Sequence, residues 1–220
     1  QVPFGDHDAL EKAINKDTAA IMVETILGEG GIRVIPDDCL KGLRKLCDER
    51  DILLILDEVQ CGLGRTGKLF AFEWANIKPD IVPIAKGIGG GFPLGACLMN
   101  KKTASTMSPG SHGSTFGGNP LAMSIATVVL DYLLNKDFLK NVEKVGNYLK
   151  SRLNEEVIKK YPTLVSGIRG KGLMLGIESK IKNEILIREM IDHKLLTVKA
   201  SQNIIRILPP LILEEKHVDE

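Results

Sequence analysis

Two charged side chains stand where apolar runs stop. Asp57 closes the run from Ile52 to Leu56, and Lys86 closes the run from Ile81 to Ala85. If both runs are strands of one parallel sheet, an acid and an amine emerge together at its carboxyl edge, where open α/β sheets bind ligands. A lysine there can form an imine with a carbonyl compound. Its ordinary pKa of about 10.4 makes the neutral amine cost roughly 4.6 kcal/mol at pH 7, so imine chemistry needs desolvation or nearby positive charge. An apolar strand end supplies the first. A carboxylate facing a pyridine nitrogen keeps such a ring protonated, and a protonated ring is an electron sink for a carbanion beside an imine. Asp57 alone reads equally as a turn acid, and Lys86 alone as a solvated surface lysine. Together, and followed by Gly87, Gly89, Gly90 and Gly91, they describe an edge where backbone can approach a flat ligand.

A second group is Ser114-Thr115 with Gly117 and Gly118, just before Asn119-Pro120. Two hydroxyls and two glycine amides ahead of a helix N-terminus suit an anion such as phosphate, although an ordinary capped loop has the same composition. Other motifs fail on context. Gly62-Leu63-Gly64-Arg65-Thr66-Gly67 matches G-x-G-x-x-G, but no helix signal follows it. Gly62 to Lys68 nearly spells a P-loop, yet Leu69 stands where a Ser or Thr should hold magnesium, and the acidic strand Leu53 to Glu58 precedes the loop instead of following it. A P-loop-like NTPase is therefore the alternative from another class. His7, His112, His193 and His217 share no ligand spacing, so no metal site is expected, and no G-x-S-x-G elbow makes Ser111 or Ser114 a nucleophile.

The elements that must position these residues follow from periodicity. Ala19 to Glu24, Ile52 to Leu56, Ile81 to Ala85 and Ala96 to Met99 are short apolar runs. The first two flank a segment opened by Pro36-Asp37-Asp38 with Cys39, Leu43, Leu46 and Cys47 on one face. Strand, helix, strand with doubly apolar strands predicts a mainly parallel sheet covered on two sides. Asn119-Pro120 predicts a helix to about Leu134, and a second helix is expected over Phe138 to Tyr161. From Gly167 the pattern becomes α+β: strands at Gly172 to Glu178, Leu195 to Val198 and Ile204 to Leu208, with a helix from Asn183 to His193. The boundary is expected near residue 136, giving an α/β unit over 1–136 and a small α+β unit over 137–220.

The 220 residues carry 29 Lys plus Arg against 28 Asp plus Glu, a net charge of +1, so no global field favours nucleic acid or an anionic membrane. No apolar run approaches the roughly 20 residues that span a bilayer. Cys39, Cys47, Cys61 and Cys97 fit neither a zinc knuckle nor a secreted disulfide framework, so they are expected reduced and mostly buried in a cytoplasmic protein. Both ends read as cut, the last at Glu214 to Glu220 before an apolar face develops.

Three motifs in order, Leu56 to Lys68, Pro79-Asp80-Ile81 leading to Ala85-Lys86-Gly87, and His112 to Pro120, strongly resemble class III pyridoxal-phosphate aminotransferases. Gly110 to Thr115 and Ile204-Ile205-Arg206-Ile207-Leu208-Pro209-Pro210 are most similar to the branch that acts on acetylornithine. The resemblance covers nearly the whole chain but only the C-terminal half or so of that family. It implies part of the large domain of fold type I plus a truncated small domain, pyridoxal 5'-phosphate as cofactor, and a homodimer with shared active sites. Lys86 would hold the cofactor as an imine and move the substrate proton, and Asp57 would pair with the pyridinium nitrogen. The turn Asp57-Glu58-Val59-Gln60 would meet the cofactor, Val59 on its ring face and Gln60 near its phenolic oxygen. Thr115 would reach the phosphate in the neighbouring subunit, with Ser114 toward the substrate. Glu29 would be a gate paired with Arg206, which takes a dicarboxylate once freed. The implied reaction transfers the distal amino group of N-acetylornithine to 2-oxoglutarate, with succinyldiaminopimelate, ornithine and 4-aminobutyrate as alternative donors. The Glu24-Thr25 pair departs from the family's usual Glu-Pro. The family's own-subunit phosphate loop, its stacking aromatic and its substrate arginine lie outside these 220 residues, so weak cofactor binding and little turnover are expected of this segment alone.

Overall fold

A computed structural model describes residues 1–220. The strands are β1 (Ala20–Glu24), β2 (Ile26–Leu27), β3 (Arg33–Val34), β4 (Leu53–Asp57), β5 (Ile81–Ile84), β6 (Ala96–Met99), β7 (Val165–Lys171), β8 (Met174–Ser179), β9 (Val198–Ala200) and β10 (Ile204–Ile207). The helices are α1 (His7–Ala13), α2 (Asp37–Arg50), α3 (Lys101–Ala104), α4 (Pro120–Leu133), α5 (Lys136–Leu153), α6 (Asn183–Asp192) and α7 (Glu215–Asp219). None is long and apolar enough to cross a membrane.

The first sheet has the order β1-β4-β5-β6, with β1, β4 and β5 parallel and β6 antiparallel. Its inner face is Ile21, Leu54, Leu56, Val82 and Ile84, all buried in the main core with Leu40 and Cys47 of α2. Those two, with half-buried Leu43, fall on one helical stripe, and Asp37 and Asp38 in the first turn suit the helix dipole. The other face is less enclosed than doubly apolar strands predict. Leu53, Ile55 and Ile81 are only half-buried there, and Met22 is 61% exposed. Expected cover on both sides is thus present on one.

The second sheet, β7-β8-β10-β9, is wholly antiparallel. Strand β7 has no clear sequence signature, because Gly167 and Gly170 interrupt its pattern and a register irregularity falls between Val165 and Gly167. Asn119 caps α4 by accepting the Ala122 N–H at 2.9 Å, with Pro120 in the first turn as its chemistry requires. The helix expected to run to Tyr161 instead ends at Leu153 and passes into a π turn over Asn154–Ile158. Cys47 and Cys61 are buried, Cys39 is half-buried and Cys97 exposed; all four are free thiols.

Glycines in the 62–67 loop serve as the joint between the sheets. A Cβ on Gly64 would meet Leu133, Leu139 and Leu211, and one on Gly67 would meet Glu143 of α5. Both have positive φ, 86° and 92°. Between them Arg65 donates to the carbonyls of Leu173 and Pro209 and accepts the Leu173 N–H on its own carbonyl. Lys68 sits over the Trp74 ring at 4.9 Å. The loop's polar groups and glycines are committed to packing, which removes the phosphate-loop reading of this stretch.

Candidate active site

Parallel pairing fixes where the acid and the amine emerge. Ile55 pairs with Ile81, and beyond the ladder the Glu58 N–H donates to the Pro83 carbonyl at 3.1 Å, so β4 and β5 stay in step to their ends. Asp57 is the last residue of β4, and Lys86 follows β5 by two residues. They therefore leave one edge from adjacent strands. Lys86 opens a short 3-10 turn, Lys86–Gly89, with φ +51°, a conformation L residues rarely adopt. Such strain persists where surrounding structure enforces it, and it concentrates at functional sites.

Asp57 is half-exposed, and its Oδ1 accepts the Val59 N–H at 2.9 Å, leaving Oδ2 without a protein donor. A cavity of about 490 Å³ opens beside the edge, lined by Val59, Gln60, Gly62, Lys86 and Gly87 on one side and by apolar residues such as Leu133, Phe138 and Leu211 on the other. Asp57 does not line it. Strand alternation puts Asp57 on the less enclosed face with Leu53 and Ile55, whereas Lys86 lines the cavity.

Glu58 corrects one expectation. Its carboxylate is 0% exposed and fully engaged by the chain: Thr25 Oγ1 donates at 2.6 Å, the Ala71 N–H at 2.8 Å and the Phe72 N–H at 3.1 Å. Burial pushes its pKa up against those bonds. Because side chains alternate out of the strand, Glu58 points into the protein where Asp57 points out, so it braces the site instead of touching a ligand. Thr25, the departure from Glu-Pro, supplies one of the three donors.

Glu29, Gln60 and Arg206 come together from three elements. Arg206 Nη1 donates to a Glu29 carboxylate oxygen and to Gln60 Oε1, the latter at 2.8 Å. The Arg206 side chain is 11% exposed and that of Glu29 is 73% exposed. The hydrogen bond from Arg206 chiefly lowers the Glu29 pKa, partly opposed by burial, and the charges of Arg206 and Lys86 lower it further. An exposed acid, a nearly buried arginine and the strand-end lysine thus share one electrostatic neighbourhood.

Ser114 and Thr115 lie on a loop, Ser105 to Gly118, that is exposed throughout, with Phe116 81% exposed. The expected anion cradle is not assembled within this chain. Gly117 donates its N–H to the Ser114 carbonyl at 3.2 Å, and the helix behind is already capped by Asn119. No group of three or more His, Cys, Asp or Glu side chains is placed to hold a metal.

Asp80 is visible in the sequence only as part of a motif, but it organises the opposite end of the sheet, at the amino ends of β4 and β5. It accepts from Arg44 at 2.7 Å, the Leu54 N–H at 2.8 Å and Asn100 Nδ2 at 2.6 Å, tying α2, β4 and the end of β6 together. An acid directly before an apolar strand was the available signal.

Residues 5–220 match the profile of the aminotransferase class-III family. The chain belongs to that family. It is 50% identical over 220 residues to acetylornithine aminotransferase of Brucella melitensis, covering all of this chain and 54% of that protein. The Methanocaldococcus jannaschii acetylornithine aminotransferase is 46% identical, with 99% and 54% covered. Among solved structures, ornithine aminotransferase from Plasmodium yoelii superposes with a TM-score of 0.92 at 37% identity, covering 99% of this chain and 58% of that one. N-acetylornithine aminotransferase from Stenotrophomonas maltophilia gives 0.89, also at 37%, with 99% and 58% covered. This chain spans about half the length of the curated relatives it matches. Class III aminotransferases are fold type I enzymes that use pyridoxal phosphate. The site here has the donor set that group needs: a primary amine on one strand end and, on the next, a carboxylate oxygen with no protein partner.

Proposed function

We propose that this sequence is the C-terminal portion of an acetylornithine aminotransferase, residues 1–136 belonging to the cofactor-binding large domain and 137–220 to the small domain. The observation that carries the reading is the emergence of Asp57 and Lys86 from adjacent parallel strands at one edge. Pyridoxal phosphate bound there supplies the carbonyl that takes up an amino group and a ring that spreads the charge left by a departing Cα proton. Lys86 anchors it and carries that proton on its ε-amine. Asp57 keeps the ring nitrogen protonated through its free oxygen, while Val59 packs on the ring and Gln60 bonds toward the phenolic oxygen.

Arg206 receives the far carboxylate of 2-oxoglutarate after Glu29 withdraws, a bidentate match that guanidinium favours. The exposed Ser114-Thr115 loop serves a second copy, Thr115 on its phosphate and Ser114 toward its substrate, so the whole enzyme is a homodimer. Four free thiols support a reducing, cytoplasmic setting. Acetylornithine is preferred over ornithine because the curated relatives named above carry that name, although an ornithine enzyme superposes slightly better, at 0.92 against 0.89. Steady-state kinetics of the whole enzyme decide it. Ping-pong kinetics with N-acetylornithine and 2-oxoglutarate are expected, with kcat/KM at least tenfold above that for free ornithine. A preference for ornithine, or no amino transfer to 2-oxoglutarate, would refute it.

A further inference from the structure

The loop carrying Glu29 is held by its backbone. Gly28 donates its N–H to Glu24 Oε2 at 2.9 Å, and its carbonyl accepts the N–H groups of Gly31 and Ile32 at 3.2 and 3.4 Å. Ser201, in the turn between β9 and β10, donates its N–H to the Glu29 carbonyl at 2.9 Å. What can move is the Glu29 side chain, 73% exposed. Arg206 is the opposite case. It sits in β10, paired with Gly176 and Val198, its side chain is 11% exposed, and its Nε is enclosed with no acceptor. If Glu29 swung away with nothing else bonded to Arg206, a nearly buried guanidinium would be left without a partner, which is strongly unfavourable.

Gln60 prevents that, and a missing side chain is what lets it. A Cβ built on Gly28 would fall 2.2 Å from Gln60 Oε1, 2.3 Å from its Cδ and 2.5 Å from its Nε2. Gly28 does not have a left-handed φ, so its turn does not demand glycine; the space occupied by the Gln60 amide does. We propose that Gly28 and Gln60 form a positioning pair for Arg206, the bare Cα of Gly28 admitting the Gln60 amide, which keeps the guanidinium aimed when Glu29 releases it. Being neutral, the Gln60 oxygen holds Arg206 without competing in charge, so an incoming carboxylate takes the place of the Glu29 carboxylate on the guanidinium. Through this contact with Arg206, Gly28 and Gln60 favour ligands with a second carboxylate. This rests on the functional reading above for its substrate class.

The test uses the whole holoenzyme and its Gly28→Ala variant, with glutarate and pentanoate as probes measured by calorimetry. These acids have equal length and differ by one carboxylate. Glutarate is expected to bind about tenfold more weakly to Gly28→Ala, with pentanoate changed less than twofold. KM for 2-oxoglutarate should rise in parallel, and by more than the single-turnover rate with the amino donor falls. Gln60→Glu, an isosteric change that adds a competing carboxylate, should also weaken glutarate. Unchanged glutarate binding in Gly28→Ala, or equal weakening of both acids, overturns the proposal. Absence of amino transfer by the wild type overturns the functional reading instead, and the glutarate-to-pentanoate comparison still decides the pair.

Discussion

Thr25 Oγ1 donates to Glu58 Oε1 at 2.6 Å, joining side chains that are 3% and 0% exposed. The bond crosses from the end of β1 to the turn after β4, beside the residue that points outward as Asp57. Removing one donor from a buried carboxylate costs about 1–3 kcal/mol. Thr25→Val is therefore expected to lower the urea midpoint of the whole enzyme, with Thr25→Ser losing less than half as much. Equal midpoints for Val and wild type would show that Glu58 is satisfied without Thr25.

Asp80 and Arg44 form the best enclosed ion pair, each side chain 16% exposed. Burial pulls the Asp80 pKa up, but the Leu54 N–H, Arg44 and Asn100 together outweigh it and leave the value below 3.8. A carboxylate with a depressed folded pKa contributes stability that is full above its unfolded value and lost as pH falls through the folded one. Asp80→Asn should cost about 1.5–3 kcal/mol at pH 7 by leaving Arg44 only its partly exposed partner Asp48, and the gap to wild type should narrow below pH 3.8. Urea melts across pH 3 to 7 check both; a constant gap would refute the linkage.

A Cβ on Gly146, inside α5, would lie 2.5 Å from the backbone carbonyl carbon of Gly172 in the β7-β8 turn. Backbone cannot yield as a flexible side chain does, so Gly146→Ala should cost about 1–3 kcal/mol. The same packing account predicts that Lys68→Ala, which loses only its place over Trp74, leaves the enzyme with no nucleotide dependence to remove. Calorimetry with ATP should give no heat of binding to either protein.

Elements with strong local signatures were legible in the sequence. Asn119-Pro120 marks the start of α4, Asp37-Asp38 opens α2, and the apolar runs locate β1, β4, β5 and β6, because one chemical requirement dominates each. The long-range pairings were not. Nothing near Gly28 announces that its missing Cβ makes room for Gln60, and nothing in the glycine loop says its neighbours are Leu133 and Glu143. Glu58 shows how a motif misleads: it stands in the same turn as Asp57 and Gln60, but strand alternation turns it inward. Strand β7 is hidden in the sequence because Gly170 serves close approach to β8 rather than a turn.

Asp57→Asn tests the acid's assigned role. An amide cannot stabilise the protonated ring nitrogen as a carboxylate does, so the whole enzyme should keep its fold and lose at least a hundredfold in kcat, about 2.7 kcal/mol of transition-state stabilisation. Circular dichroism controls for folding. A kcat within threefold of wild type would remove Asp57 from the chemistry.

The most direct measurement is borohydride reduction of the whole holoenzyme followed by peptide mapping. The expected result is a single pyridoxyl adduct on Lys86, at the edge it shares with Asp57. An adduct on any other lysine, or none on a fully loaded enzyme, would contradict the assignment of this site.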